Sequence, residues 1–126
     1  MKVLFDSSIL IDHLRKVEGA EKLIIKISEK ELIGYISVIT EAELLSGNEC
    51  KKSSKKSAVE NLIKLFIQID VNNQIAQKAG EFRRNYDVPL DDCIIAATAF
   101  HQKCKIWTKN KKDFQKIKEI KVEEPY

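Results

Sequence analysis

The chain has 126 residues, of which 44% are hydrophobic and 33% charged, and its formal net charge is +3; this composition fits a single domain over residues 1–126 with a substantial core. No apolar run approaches the roughly 20 residues that a membrane-spanning helix needs, and the start of the chain lacks a signal-peptide pattern, so we expect a cytoplasmic protein. The three cysteines have no Cys-x-x-Cys spacing, which argues against both a disulfide framework and a zinc site.

Hydrophobic patterning predicts short strands that alternate with helices along the chain. We predict strands at 2–6, 34–38, 67–71, 105–108 and 120–122. We predict helices after Ser7 or Ser8, at 19–30, after Thr40, at 58–66, at 72–86 and at 91–101, with a polar loop at 48–54. This rhythm is typical of βαβ units and predicts an α/β fold with a mainly parallel sheet covered on both faces.

Four acidic residues are predicted to meet at one edge of this sheet. In α/β folds the functional site lies at the carboxyl ends of the strands, where Asp6 follows the first strand and Asp113 follows the strand at 105–108. The small side chains after Asp92 let its helix approach the sheet closely, which brings Asp92 toward Asp6 and Glu43. Clustered carboxylates repel one another unless a cation holds them, and oxygen ligands without Cys or His favour Mg²⁺ or Mn²⁺.

Each acid also has a purely structural explanation, as a helix cap or a first-turn charge. Asp6 can cap the first helix, Glu43 can form a capping box with Thr40, Asp91 or Asp92 can cap the helix at 91–101, and Asp113 can cap a short helix at 114–117. Asp91 alone would be sufficient as the N-cap of the helix at 91–101, so Asp92 is not needed as a cap and is available for another role.

Four motifs together resemble those of a known family. They are Leu4-Phe5-Asp6-Ser7-Ser8, Thr40-x-x-Glu43-Leu44-x-x-Gly47, Asp92-x-x-Ile95-Ala96-Ala97-Thr98-Ala99 and Thr108-x-Asn110-x-x-Asp113-Phe114. They follow this order along nearly the whole chain, and the last two in combination are the most specific. The chain thereby resembles PIN-domain proteins, and most closely the VapC-type toxin ribonucleases of type II toxin–antitoxin systems.

The resemblance implies a fold, an activity and partners. The fold would be a three-layer α/β/α sandwich with a short, mainly parallel central sheet. The activity would be the cleavage of RNA with Mg²⁺ or Mn²⁺. The partners would be a second copy of the chain in a homodimer and a small cognate antitoxin that neutralises the enzyme.

The resemblance also assigns roles to residues. The matching core acids and supporting hydroxyls are Asp6, Glu43, Asp92, Ser7 and Thr108. Asn110 stands where some relatives carry an acid. Asp113 is therefore predicted to complete the catalytic and metal-binding set, with Asn110 in support.

The chemistry of phosphodiester hydrolysis agrees with these roles. The reaction needs a water that is activated at neutral pH and a positive charge beside the phosphorane, and divalent cations supply both. We expect Asp6 and Asp92 to bind the cation directly, and Glu43 to bind it through water or to orient the attacking water. The candidate contacts to RNA phosphates are Lys109, Lys111 and Lys112, although such lysine runs are also typical of a merely solvated surface.

Two alternatives to a nuclease remain open at this point. The first is a PIN scaffold without catalysis that only binds RNA or protein. The second is a phospho-acceptor receiver domain, which is also an α/β domain of this length, with Asp70 as acceptor and Lys109 as the paired lysine. A receiver should carry adjacent acids after its first strand, whereas Asp6 is followed by two serines.

Self-association is predicted from the residues as well as from the resemblance. The helices at 58–66 and 72–86 carry more apolar side chains than the covering of one sheet face requires. Apolar surface that is left over in this way favours an interface between two copies of the chain.

Overall fold

The computed structural model of the protein describes residues 1–126 and contains five strands and seven α-helices. The strands are β1 Lys2–Phe5, β2 Ile33–Ser37, β3 Ile67–Ile69, β4 Lys105–Trp107 and β5 Val122–Glu123. The helices are α1 Ser7–Leu14, α2 Glu18–Ser28, α3 Val38–Leu45, α4 Ser53–Ile63, α5 Asn73–Tyr86, α6 Leu90–Gln102 and α7 Lys111–Phe114. None of these helices has both the length and the apolar character that crossing a membrane requires.

The five strands form one parallel sheet in the order β3-β2-β1-β4-β5. In the central strand β1, Val3 pairs with Gly34 of β2 on one side and with Lys105 of β4 on the other. Parallel neighbours need crossover connections, and helices supply them here. The α/β prediction is therefore confirmed, and the carboxyl ends of all five strands lie at the same edge of the sheet.

Successive residues of the central strands point to opposite faces of the sheet, and each face has its own core. Val3 and Phe5 belong to a cluster with residues of α1, α2 and α4, whereas Leu4 belongs to a cluster with residues of α5, α6 and α7. Gly34 permits close packing in the first cluster, because a Cβ there would lie 2.7 Å from Cδ2 of Phe66. These two cores give the three-layer sandwich that the resemblance implied.

Two helix starts differ from the sequence-based expectation. α1 begins at Ser7, so neither serine precedes it as a cap, and Asp6 occupies the N-cap position without a side-chain capping bond. α3 begins earlier than expected and is capped by Ser37, whose hydroxyl accepts a hydrogen bond from a backbone N–H two residues on. Thr40 therefore lies inside α3, and the capping box that would have explained Glu43 does not form.

The capping roles expected for the other acids are also wrong. α6 begins at Leu90 with Pro89 at its N-cap position, so Asp91 and Asp92 both lie inside its first turn. α7 begins at Lys111, three residues earlier than expected, which places Asp113 inside it. None of these acids is needed as a cap, although the first turn of α6 still favours negative charge.

The polar segment 48–54 is helical rather than the loop that its composition suggested. It contains a short 3-10 helix, Asn48–Lys51, and the first residues of α4.

Candidate active site

Asp6 is the buried carboxylate at the centre of the site. It follows β1 directly, is 7% exposed, and its backbone N–H donates to the Trp107 carbonyl at 3.1 Å. Its Oδ2 accepts hydrogen bonds from Thr108 Oγ1 at 2.7 Å and from Ser8 Oγ at 2.9 Å. Hydrogen bonds to a carboxylate are strong. Because both hydroxyls donate to the same oxygen, Oδ1 remains available to a cation.

The turn after β4 is connected to the same carboxylate by hydrogen bonds through Thr108 and Ser8. Thr108 is fully buried, and its Oγ1 also accepts a hydrogen bond from the Asn110 N–H at 2.9 Å. Ser8 Oγ accepts a hydrogen bond from the Lys109 N–H at 2.9 Å. The structure thus places Thr108 beside Asp6 as expected, but the serine bonded to Asp6 is Ser8 rather than Ser7. Both serines fit the sequence motif, which gave no basis for choosing between them.

The carboxyl group of Asp92 resists ionisation. Its pKa is raised from 3.8 to about 7. Burial is the largest cause, because the charged form loses water, and the negative charges of Asp91, Asp6, Asp113 and Glu43 raise it further, in that order. A cation placed among these groups would reverse the effect and stabilise the ionised form.

Glu43 stands on the open side of the site, in the second half of α3. The pKa of its carboxyl is raised, first because the group partly loses water and then because of the charges of Asp91 and Asp6. A carboxylate with a raised pKa is a better base near neutral pH. Glu43 is therefore suited to proton transfer.

Asp91, which the sequence suggested only as a helix cap, is a member of the acidic cluster. Its Oδ1 accepts a hydrogen bond from the Asp92 N–H at 2.9 Å. Its charge raises the pKa of both Asp92 and Glu43. Adjacency to Asp92 was the only signal in the sequence, and adjacent helix residues do not normally share a face.

The carboxylates of the acidic cluster have the chemistry to bind a hard divalent cation, although they are not close enough together to form a complete ligand set. The four predicted acids offer only oxygen ligands, as Mg²⁺ and Mn²⁺ prefer, and the unpaired Oδ1 of Asp6 adjoins the group. No three His, Cys, Asp or Glu side chains are arranged closely enough to hold a metal ion. The acids thus influence one another electrostatically without forming a closed ligand set.

Asp113 and Asn110 have different links to the site. Asp113 is half-buried, its charge contributes to the raised pKa of Asp92, and its carboxylate pairs with Lys116 at 3.3 Å. Asn110 is exposed and is connected through its backbone N–H to Thr108. Asp113 therefore has the electrostatic connection to the acids, and Asn110 has the structural connection to the turn.

This difference leads to a prediction about which of the two residues completes the metal-binding set. Asp113→Asn should weaken Mn²⁺ binding by at least about tenfold, because it removes a charge that supports the cation. Asn110→Ala should leave the affinity near that of the wild type, because only the Asn110 backbone is bonded in the site. Calorimetric titration measures both. An unchanged affinity in Asp113→Asn together with a reduced affinity in Asn110→Ala would reverse the assignment.

The three candidate RNA-binding lysines are placed differently. Lys111 and Lys112 are exposed in the first turn of α7. Lys109 instead donates from its Nζ to the backbone oxygen of Tyr126, and the same atom lies 4.4 Å from the centre of the Tyr126 ring. Only Lys111 and Lys112 are free to meet a phosphate in this arrangement.

The strand order is incompatible with the receiver-domain alternative. In that fold the strand that carries the phospho-acceptor lies next to the first strand. Here Asp70 follows β3 at the edge of the sheet, and β2 stands between β3 and β1. The paired lysine of that alternative, Lys109, is bonded to Tyr126.

Comparison with known proteins agrees with this geometry. The sequence pattern of the PIN domain matches residues 3–120. The chain belongs to the PIN-domain family. Among the relatives of this PIN domain, Ribonuclease VapC2 of Methanocaldococcus jannaschii is 29% identical over 96% of this chain and 92% of its own length. Ribonuclease VapC10 of Mycobacterium tuberculosis is 32% identical over 94% of this chain and 90% of its own length.

Solved structures with the same fold include members of toxin–antitoxin complexes. A chain of a toxin–antitoxin complex from Klebsiella pneumoniae is 30% identical and superimposes with a TM-score of 0.81 over 98% of both chains. A chain of the DNA-bound VapBC from Salmonella typhimurium is 25% identical, with a TM-score of 0.83 over 98% of this PIN domain and 97% of that chain. The PIN fold expected from the sequence motifs is therefore confirmed.

Proposed function

We propose that this PIN domain is a toxin endoribonuclease that hydrolyses phosphodiester bonds in RNA and is neutralised by a cognate antitoxin. The observation that carries the proposal is the buried carboxylate of Asp6, which Thr108 and Ser8 hold in place. It lies within electrostatic reach of Asp92, whose pKa is raised to about 7. The similarity to ribonucleases over nearly the whole chain and to members of toxin–antitoxin complexes supports it.

We propose further that the acids hold Mg²⁺ or Mn²⁺. Such a cation would supply positive charge to the scissile phosphate and lower the pKa of a bound water. Asp6 is preorganised to bind it, because two hydroxyls fix Oδ2 and leave Oδ1 free. Asp92 would bind it in the ionised form and release its proton, and Asp113 would add negative charge to the site.

Glu43 is assigned to proton transfer. It is open to solvent and its pKa is raised, so it can accept a proton from the attacking water near neutral pH and return it to bulk water. On the substrate side, the exposed Lys111 and Lys112 stand next to the turn that carries Thr108 and can pair with RNA phosphates.

The protein is also proposed to be a homodimer, on grounds that overlap only in part with those found in the sequence. Most of the apolar side chains at 58–66 and 72–86 that motivated the prediction are packed into the two cores; they are Val59, Leu62, Ile63, Phe66, Ile75, Ala79 and Phe82. The large apolar residues that remain exposed include Leu65, Ile67 and Val71 around β3, and Leu90 at the start of α6. Exposed apolar surface of this kind favours association.

Light scattering at micromolar concentration tests the dimer. We expect a mass of twice that of the chain, with a fall toward the single-chain mass on dilution. A single-chain mass at every concentration would contradict it.

A cleavage assay tests the proposed activity. Antitoxin-free protein should cut single-stranded or loop RNA in the presence of Mg²⁺ or Mn²⁺ and stop when EDTA is added. Asp70→Asn should behave as the wild type, because Asp70 lies outside the acidic cluster, after the edge strand β3. Cleavage that survives EDTA unchanged would contradict the role of the metal. Failure to cut any RNA by a protein that binds Mn²⁺ would favour the inactive scaffold.

A further inference from the structure

Tyr126 is packed against both α1 and α2 and against the turn that follows β4. Its hydroxyl donates a hydrogen bond to Asp12 Oδ2 at 2.6 Å. Its ring fills the space beside Gly19, where a Cβ would lie 2.6 Å from the ring carbons Cγ and Cδ1. Lys109 Nζ lies over the ring, 4.4 Å from its centre, and donates to the Tyr126 backbone oxygen. Tyr126 therefore holds the ammonium group of Lys109 with two different attractions.

Lys109 is the residue of this contact that also belongs to the active-site turn. Its backbone N–H donates to Ser8 Oγ at 2.9 Å, and Ser8 Oγ donates to Asp6 Oδ2 at 2.9 Å. Only two hydrogen bonds thus separate the Lys109 backbone from the central carboxylate. The flexible four-carbon stem of a lysine is long enough for its ammonium group to reach the Asp6 carboxylate from this position of the backbone. A cluster of carboxylates attracts an ammonium group strongly.

We propose that Tyr126 is a positioning residue that holds the Lys109 ammonium away from Asp6 and so keeps the acidic cluster open to a divalent cation. The inference rests on the proposed metal site. An ammonium among the acids would neutralise them much as the cation does, and the two would compete. The Tyr126 ring and backbone oxygen offer Lys109 another place to bind, and the bond to Asp12 fixes the ring in that position.

The contacts of Tyr126 with α1 and α2 also contribute to the packing of the fold. Loss of stability in a Tyr126 variant would therefore not separate a positioning role from a structural one. Metal affinity does separate them, because packing between α1, α2 and Tyr126 does not itself bind a cation. Rescue through Lys109 separates them further, since a purely structural defect would not depend on the charge of that lysine.

The experiment is a calorimetric titration of Mn²⁺ into a set of variants. Tyr126→Ala should bind Mn²⁺ about tenfold more weakly than the wild type, the loss typical of a residue that supports a metal site from outside. Lys109→Gln introduced into Tyr126→Ala should return the affinity to that of Lys109→Gln alone, because no ammonium remains to compete. Tyr126→Phe, which loses only the bond to Asp12, should show a smaller loss than Tyr126→Ala.

Two glycine substitutions form a matched pair that leaves Tyr126 itself unchanged. Gly19→Ala in α2 forces the ring to move and should weaken Mn²⁺ binding. Gly80→Ala in α5 meets no atom within 4 Å and should not affect Mn²⁺ binding. Both changes raise local helix propensity, so a difference between them reports the displaced ring. This pair also keeps the proposal testable if Tyr126→Ala does not fold.

The outcomes distinguish this inference from the function on which it rests. A wild type that binds no Mn²⁺ would overturn the metal site and the role of Tyr126 together. A wild type that binds Mn²⁺ no more tightly than Tyr126→Ala and Gly19→Ala would overturn the role of Tyr126 alone. So would a double variant, Tyr126→Ala with Lys109→Gln, that binds no better than Tyr126→Ala.

Discussion

Asp92→Asn is expected to abolish RNA cleavage and, at the same time, to stabilise the metal-free protein above pH 7. The pKa of Asp92 is raised from 3.8 to about 7, so over this interval the folded state keeps a proton that the unfolded state releases. The metal-free wild type therefore loses stability as the pH rises through that interval, and above it the full cost of the charged group remains. Asparagine carries no charge. Allowing for solvent screening at this half-buried position, we expect a gain of about 1–2 kcal/mol.

Thermal unfolding in EDTA measures this effect. Asp92→Asn should melt higher than the wild type at about pH 8, and the difference should disappear near pH 4, where Asp92 is protonated in the folded state. Asp70→Asn is the matched control, since it removes the same charge outside the acidic cluster and should show no such pH-dependent gain. An Asp92→Asn protein that melts below the wild type at the higher pH would contradict the electrostatic account.

Asp6→Asn is expected to abolish cleavage without the gain in stability. Losing a direct ligand should lower the rate by about 10³-fold or more, which corresponds to the several kcal/mol that a metal contributes to the transition state. Stability should not rise, because Oδ2 of Asp6 accepts hydrogen bonds from Thr108 and Ser8, and a neutral amide oxygen accepts them more weakly. Parallel cleavage assays and EDTA melts of Asp6→Asn and Asp92→Asn test this contrast.

Substitution of Thr108 tests whether the fixed orientation of the Asp6 carboxylate matters for catalysis. Thr108→Val keeps the shape of a fully buried side chain but removes the donor to Asp6 and the acceptor for the Asn110 N–H. It should reduce activity by about 10–100-fold, and Thr108→Ser should recover most of it. If Thr108→Val were as active as the wild type, the fixed orientation of Asp6 would not matter for catalysis.

The fold was predictable because its signals are local and repeated. Short apolar strands alternate with helical periodicity along the whole chain, and this rhythm alone indicates parallel βαβ units. Element ends were less predictable. Ser37 lies at the end of a strand and yet caps α3, and the polar segment 48–54 is helical, with Cys50 packed against the first core. Such outcomes depend on tertiary packing, which overrides local preference.

The acidic residues of the candidate site could be predicted from the sequence, but the side chains that bond to them and to the neighbouring turn could not. Asp6, Glu43, Asp92 and Asp113 share one electrostatic environment, as expected for Asp6 and Asp113 from their positions after strands and for Asp92 and Glu43 from the close approach of a helix to the sheet. The choice of Ser8 over Ser7 depends on the direction of each side chain at the start of α1. The contact between Lys109 and Tyr126 depends on how the last segment packs against α1 and α2. Neither has a periodic or composition-based signal in the sequence.

A Mn²⁺ titration with its linked proton release tests the metal site most directly. Calorimetry in buffers of different ionisation enthalpy gives both the affinity and the number of protons released. The account predicts that the wild type binds Mn²⁺ more weakly at about pH 6 than at about pH 8 and releases more protons at the lower pH, because Asp92 must give up its proton to bind. Asp92→Asn should show weak binding and little proton release. Binding by the wild type that is equally tight at both pH values with no proton release, or binding by Asp92→Asn as tight as that of the wild type, would contradict the assignment of these carboxylates to a metal site.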